Sequence, residues 1–245
     1  MRGRAAEAQR SASPFIVSKM SNQTNDLYLK WSKWIDVLDT EILNLHTQRH
    51  IFQEVQNILR ANPKMQSPDD FNFWLAVWYA SAMSVAVRKQ ADNDKDSISY
   101  QRLLEGIKAN PTVISRERFK KNFVNGWNYS EADANEGFDQ LIGSGRQYID
   151  PTIVDREINE LGTKTDKLSH YVNKRIAHHD KKDFTAIPRF SDLHEAIDYL
   201  GTLHKKYYMV FRCFSTDLLT VWQYDWKSVF LYPWIDLSSG DCPPE

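Results

Sequence analysis

Cysteine is nearly missing from this chain: 245 residues hold only Cys213 and Cys242. Two thiols cannot build a disulfide scaffold, and their spacing does not fit a zinc site. Such usage suits a reducing cytoplasm. Long apolar runs are missing too, because none approaches the roughly 18 residues that span a bilayer. There is no surplus of one charge either: 31 Lys and Arg against 32 Asp and Glu leave a net −1. Any binding of phosphate or nucleic acid must therefore come from a local patch.

What remains is the balance of a globular protein, 42% apolar and 26% charged residues. A chain of this length can bury roughly three quarters of its unfolded surface in one core. The opening stretch MRGRAAEAQRSASPFIVSK is basic, rich in Ala and Ser, and aperiodic. It lacks the apolar centre of a secretory signal. We read residues 1–19 as a disordered extension, with Met20 as the true start, residues 20–215 as one helical domain, and 216–245 as an aromatic-rich tail packed on it.

The periodic signals are all helical. Trp31, Trp34, Ile35, Leu38, Ile42, Leu45, Phe52 and Val55 recur at steps of three and four between 24 and 60. Ser67-Pro68-Asp69-Asp70 carries a cap, a first-turn proline and acids for the positive end of a dipole. The helix that follows is apolar nearly all round from Phe71 to Val87, which predicts a central, buried position. Ser97 is placed to cap a short helix through Leu103, Leu104 and Ile107. The basic stretch 112–129 reads as irregular, and its run Arg116 to Lys121 as a solvated loop or a phosphate-contacting patch. Helices resume at Ser130, at Asp150-Pro151 and at Ser191, with a break at Gly143-Ser144-Gly145. The tail, with several of the eight tryptophans, commits to no period. The fold expectation is all-α, an up-and-down helical bundle.

One stretch concentrates chemistry: YVNKRIAHHD, residues 171–180. On a regular helix at 100° per residue, Tyr171, Arg175 and His178 fall within roughly 60° of one another, on one shoulder of the stripe Leu161, Leu168, Val172, Ile176. Asn173 lies on the other shoulder and Lys174 points away. Arg175 beside His178 disfavours the imidazolium and lowers its pKa. A neutral histidine next to a fixed cation suits RNA cleavage by internal attack of a 2′-hydroxyl. The base takes the hydroxyl proton, worth about 10²–10⁴-fold, and the cation stabilises the phosphate charge. That chemistry calls for no metal and no cofactor.

The segment NKRIAHHD resembles the Arg-x4–6-His motif region of HEPN-superfamily domains, in their abortive-infection-like branch, where an Asn-Lys pair precedes an Ala-His pair. AVRKQADNDKDSISYQRLLEGIKANP, residues 86–111, is similar to the helix, acidic turn and short helix upstream of that motif. The resemblance covers roughly residues 24 to 215. It implies a HEPN-like bundle that forms a homodimer, no membrane association, and RNA or nucleotide as ligand. Active members are metal-independent endoribonucleases in toxin–antitoxin and phage-defence systems. Inactive ones bind RNA, an antitoxin or another partner protein. His178, Arg175, Asn173 and Lys174 are then the catalytic candidates, and Tyr171, His179, Arg88 and Lys89 the substrate-binding ones. The chain departs from the pattern at the arginine: positions 171, 172 and 173 hold Tyr, Val and Asn, and the nearest cation is Lys174. Lysine lacks the bidentate fork.

Plainer readings stand beside this one. Histidine and lysine are favoured at a helix C-terminus for their meeting with its dipole, and Asp180, Lys181 and Lys182 would then be a solvated exit. Arg88 and Lys89 end a helix in the same way. A metal site is disfavoured, since His178, His179 and Asp180 diverge by about 100° each on a helix.

Overall fold

Trp31, Ile35, Leu38, Ile42 and Leu45 form the buried face of one long helix in the computed structural model of this chain. The structure describes residues 14–62, 70–127, 130–176, 187–219 and 225–232. That helix is α1 (Pro14–Ala61), which starts inside the stretch read as disordered. The others are α2 (Asp70–Gln90), α3 (Tyr100–Ala109), α4 (Arg116–Trp127), α5 (Glu131–Ile142), α6 (Pro151–Tyr171) and α7 (Phe190–Arg212). Among the described residues there is no strand, only an isolated bridge from Ser115 to Tyr148. The fold is all-α, and no described helix is long and apolar enough to cross a membrane.

Polar ties fix the helix directions. Along α1 and α7, Asp36 pairs with Arg212, Asp39 with His204 at 2.8 Å and Arg49 with Asp198 at 2.6 Å, so the two run antiparallel. Lys164–Glu195 at 3.0 Å and Lys167–Asp192 at 2.8 Å set α6 antiparallel to α7. Glu41–Lys89 at 2.7 Å and the stacked rings of Phe52 and Tyr79 set α2 antiparallel to α1. These four helices make the up-and-down bundle. Its core joins the α1 face to Leu193, Ile197, Leu200, Leu203 and Tyr207 of α7 and to Val154, Leu161 and Leu168 of α6. Helix α3 adds Tyr100, Leu103, Leu104 and Ile107, all fully buried. Gly106 lets α3 approach α1, because a Cβ there would stand 2.7 Å from the Trp31 ring.

Several boundaries differ from the sequence reading, each for a local reason. Ser97 spends its hydroxyl on the Asp94 carbonyl at 2.8 Å, and Ser99 caps α3 by accepting the Arg102 N–H at 3.2 Å. Residues read as irregular form α4, whose Phe119 and Phe123 stack one turn apart beneath the charges that hide them in the sequence. Arg116 is almost covered, pairing with Asp139 and donating to the Arg146 carbonyl at 2.8 Å, while Lys120 meets Glu131 at 2.6 Å. Those two cations hold the α4–α5 hairpin. Helix α7 starts one residue before Ser191, with the Arg189 N–H donating to the Asp192 carboxylate at 2.8 Å. The Ser67-Pro68 cap lies outside the described residues.

The largest departure concerns α2. Tyr79, Met83 and Val87, spaced by four, face the core. The opposite side carries Phe71, Phe73, Trp74, Val77, Trp78 and Val85, which are 40 to 71% exposed. The helix expected at the centre is an outer one, because α1, α6 and α7 cover only one of its sides.

The tail touches the bundle. Leu218 packs on the core, and Lys227 pairs with Glu54 of α1. Leu231 and Tyr232 are exposed.

Candidate functional site

The last turn of α6 leads into a single π-helical turn, Val172–Ile176, which carries the motif residues VNKRI. Val172 is buried and pins this turn to the core, whereas Asn173 is exposed and Lys174 and Arg175 are half-buried. A π turn holds one residue more than an α turn, so the projection at 100° per residue ends at Tyr171. The angular grouping of Tyr171 and Arg175 drawn for a regular helix therefore does not carry over. His178, His179 and Asp180 lie outside the described residues.

Tyr171 opens onto a groove of about 290 Å³ between α2, the end of α6 and the start of α7. Its walls include Phe73, Val77 and Ala80 of α2, Leu168 of α6 and Phe190 of α7. The groove is apolar, with Asn173, Lys174 and Arg175 following Tyr171 in the chain. Arg88 and Lys89 do not line it, but they follow the lining residue Ser84 by four and five positions on α2, or roughly 6–8 Å along the axis at 1.5 Å per residue. Lys89 is paired with Glu41 of α1.

A second polar cluster has no counterpart among the sequence candidates. Arg49 of α1 donates to Asp198 at 2.6 Å, to the His194 carbonyl at 3.3 Å and to His46 Nδ1 at 3.2 Å. Because Nδ1 accepts, the neutral His46 ring carries its proton on Nε2. Burial, and then the Arg49 cation, lower the His46 pKa from 6.5 to about 4. His194 is lowered by the same two causes, and its Nε2 stands 3.2 Å from the Tyr79 hydroxyl. Beside the cluster is a cavity of about 480 Å³, bordered by His50, Lys205 and Leu218. Phe190 links the two regions, since it lines the groove and stacks on Tyr79 and Phe52. The signal in the sequence is His46-x-x-Arg49-His50, three residues on one helical face. What it could not show is that α7 brings Asp198 and His194 against that face.

Deeper in the bundle, the buried pair His204 and Tyr100 forms a chain with the partly exposed Asp39. The Asp39 carboxylate can only accept, so His204 Nε2–H donates to it at 2.8 Å, and Nδ1 accepts the Tyr100 hydroxyl at 2.7 Å. It joins α1, α7 and α3, and the place of His204 and Tyr100 inside the core makes it an internal tie. No group of three or more His, Cys, Asp or Glu is placed to hold a metal among the described residues.

Set against models of protein families, curated proteins and solved structures, the chain matches none.

Proposed function

We propose that this chain is a HEPN-like helical protein of the cytoplasm that engages RNA or nucleotide in a defence or toxin–antitoxin setting, as a metal-independent endoribonuclease. The observation that carries the reading is the π turn at Val172–Ile176. Isolated π turns recur at functional sites because they re-aim side chains that a regular helix would splay apart. Here the turn holds Asn173, Lys174 and Arg175 immediately ahead of His178 and His179, beside the groove that Tyr171 lines.

In this reading His178 removes the proton of a 2′-hydroxyl. The freed oxygen attacks the adjacent phosphorus, a 2′,3′-cyclic phosphate forms, and the 5′-oxygen leaves and takes up a proton. Lys174 and Arg175 stabilise the charge on the non-bridging oxygens, and Asn173 and Tyr171 orient the strand. The test is cleavage of a labelled, mixed RNA pool by the purified protein in EDTA, beside His178→Ala. Cleavage that disappears in the variant supports the assignment. Equal cleavage by both overturns it.

A second reading, a non-catalytic helical module that binds RNA or a partner protein, is favoured by one observation. Of the three positions open to a motif arginine for His178, 171 holds a tyrosine lining the groove, 172 a buried valine and 173 an asparagine; for His179 the window ends on Lys174. Retention of RNA on the protein without cleavage would decide for this module.

A further inference from the structure

From Phe71 to Val87 the sequence of α2 holds no charged residue. Half of that surface is open to solvent. Phe71, Trp74 and Trp78 form a ridge, with ring centroids 6.1 and 3.8 Å apart in succession. Phe73 is 71% exposed on its flank, and Ile187, at the edge of the adjoining groove, is 70% exposed. Taking roughly 200 Å² for an aromatic side chain, the four exposed rings of α2 show about 450 Å² of apolar surface. Val77, Val85, Ile187 and Phe190 bring the patch to about 750 Å², above the 300–600 Å² typical of a monomer's largest patch and close to the roughly 800 Å² per partner of a standard interface.

The ends of the helix indicate what covers it. The sequence of α2 begins with Asp70 and carries Arg88 near its end, where the neighbouring Lys89 is already paired with Glu41 of α1. An antiparallel copy of the same helix sets acid against base at both ends and opposes the two dipoles. A parallel copy sets like charge against like. The uncharged middle is self-complementary in the sense a two-fold interface requires.

We propose that the outer face of α2 is an isologous interface in which a second copy of this chain packs its own α2 antiparallel across the ridge. The two-fold axis passes near position 79, the midpoint between Asp70 and Arg88. The assignment does not depend on the RNA reading, so either can fail alone.

Sedimentation of the full chain over a wide dilution series is the first test. A dimer is expected from the wild type and a monomer from Trp78→Glu, with the melting profile of the monomeric fold kept because that ring is 57% exposed. Val85→Glu gives the same readout if the first variant does not fold. Leu231→Glu, at a residue 79% exposed in another part of the surface, leaves the dimer intact. Orientation is read with a short bismaleimide in a Cys242→Ser background. Ser81→Cys links to its own copy, lying about 6 Å from it along the axis, whereas Arg88→Cys, about 27 Å from its copy, does not. A wild-type monomer at every concentration overturns the proposal, as does a dimer that survives the α2 variants. Linking at both cysteine positions overturns the antiparallel arrangement. A monomer that binds lipid vesicles through Trp78 assigns the face to a membrane surface instead and overturns it too.

Discussion

Protonation of His46 should cost this fold stability in a narrow range of pH. The ring is 6% exposed and has Arg49, Asp198 and Lys205 around it. In the unfolded chain it takes a proton near pH 6.5, and in the folded one only near pH 4. Above pH 6.5 both states leave it neutral, so it has no effect on stability there. Between pH 6.5 and pH 4 the unfolded state binds the proton more tightly, so stability falls as the medium is acidified. A shift of that size corresponds to about 2 kcal/mol between pH 7.5 and pH 5. Solvent screening of the Arg49 and Lys205 cations, which both lower this pKa, reduces the figure to roughly 1–2 kcal/mol. His46→Gln keeps an acceptor for Arg49 and removes the titration. Urea unfolding followed by tryptophan fluorescence, at pH 7.5 and pH 5, measures the loss in both proteins. His194 and His204 are also held low and add to the loss in each, so the difference isolates His46. We expect the variant to lose about 1–2 kcal/mol less than the wild type. An identical loss in the two would refute the claim that this buried ring resists protonation.

Asp39→Ala should cost about 1–3 kcal/mol in the same unfolding assay, because it strands the N–H of fully buried His204; a change below a few tenths would show that the tie is dispensable. Cys213 is buried, and burial pushes its thiol up to about 11, so in a Cys242→Ser background Ellman's reagent should find no reactive thiol until denaturant is added. If the proposed RNA surface is correct, Lys174→Ala combined with Arg175→Ala should weaken single-stranded RNA binding and lower the slope of log affinity against log salt by about 1.4, two contacts at roughly 0.7 each. An unchanged slope would remove these two cations from the interface.

Helix spacing in Trp31 to Leu45 and in Leu193 to Tyr207 was legible because each apolar residue repeats every three or four positions and its burial follows from that period. The proline after Asp150 marked the start of α6 for an equally local reason, a missing N–H placed where no partner exists. Helix α4 was obscured because Phe119 and Phe123 are outnumbered by basic neighbours whose carboxylate partners come from α5. The cluster at His46 was half visible. Its spacing on α1 is local, but Asp198 and His194 reach it only through the antiparallel packing of α7.

The sequence by itself determined the all-helical class and the core stripes of α1, of α7 and of α6 as far as Val172, since these depend on period, caps and residue chemistry within a few turns; Ile176, expected in the α6 stripe, is exposed. Tertiary structure alone decided which side of α2 meets the core, that a π turn follows α6 at Val172, and that His46 sits beside a fixed cation under cover. The physical reason is that composition sets how much apolar surface a helix carries, while only the neighbours packed against it set how much of that surface water still reaches.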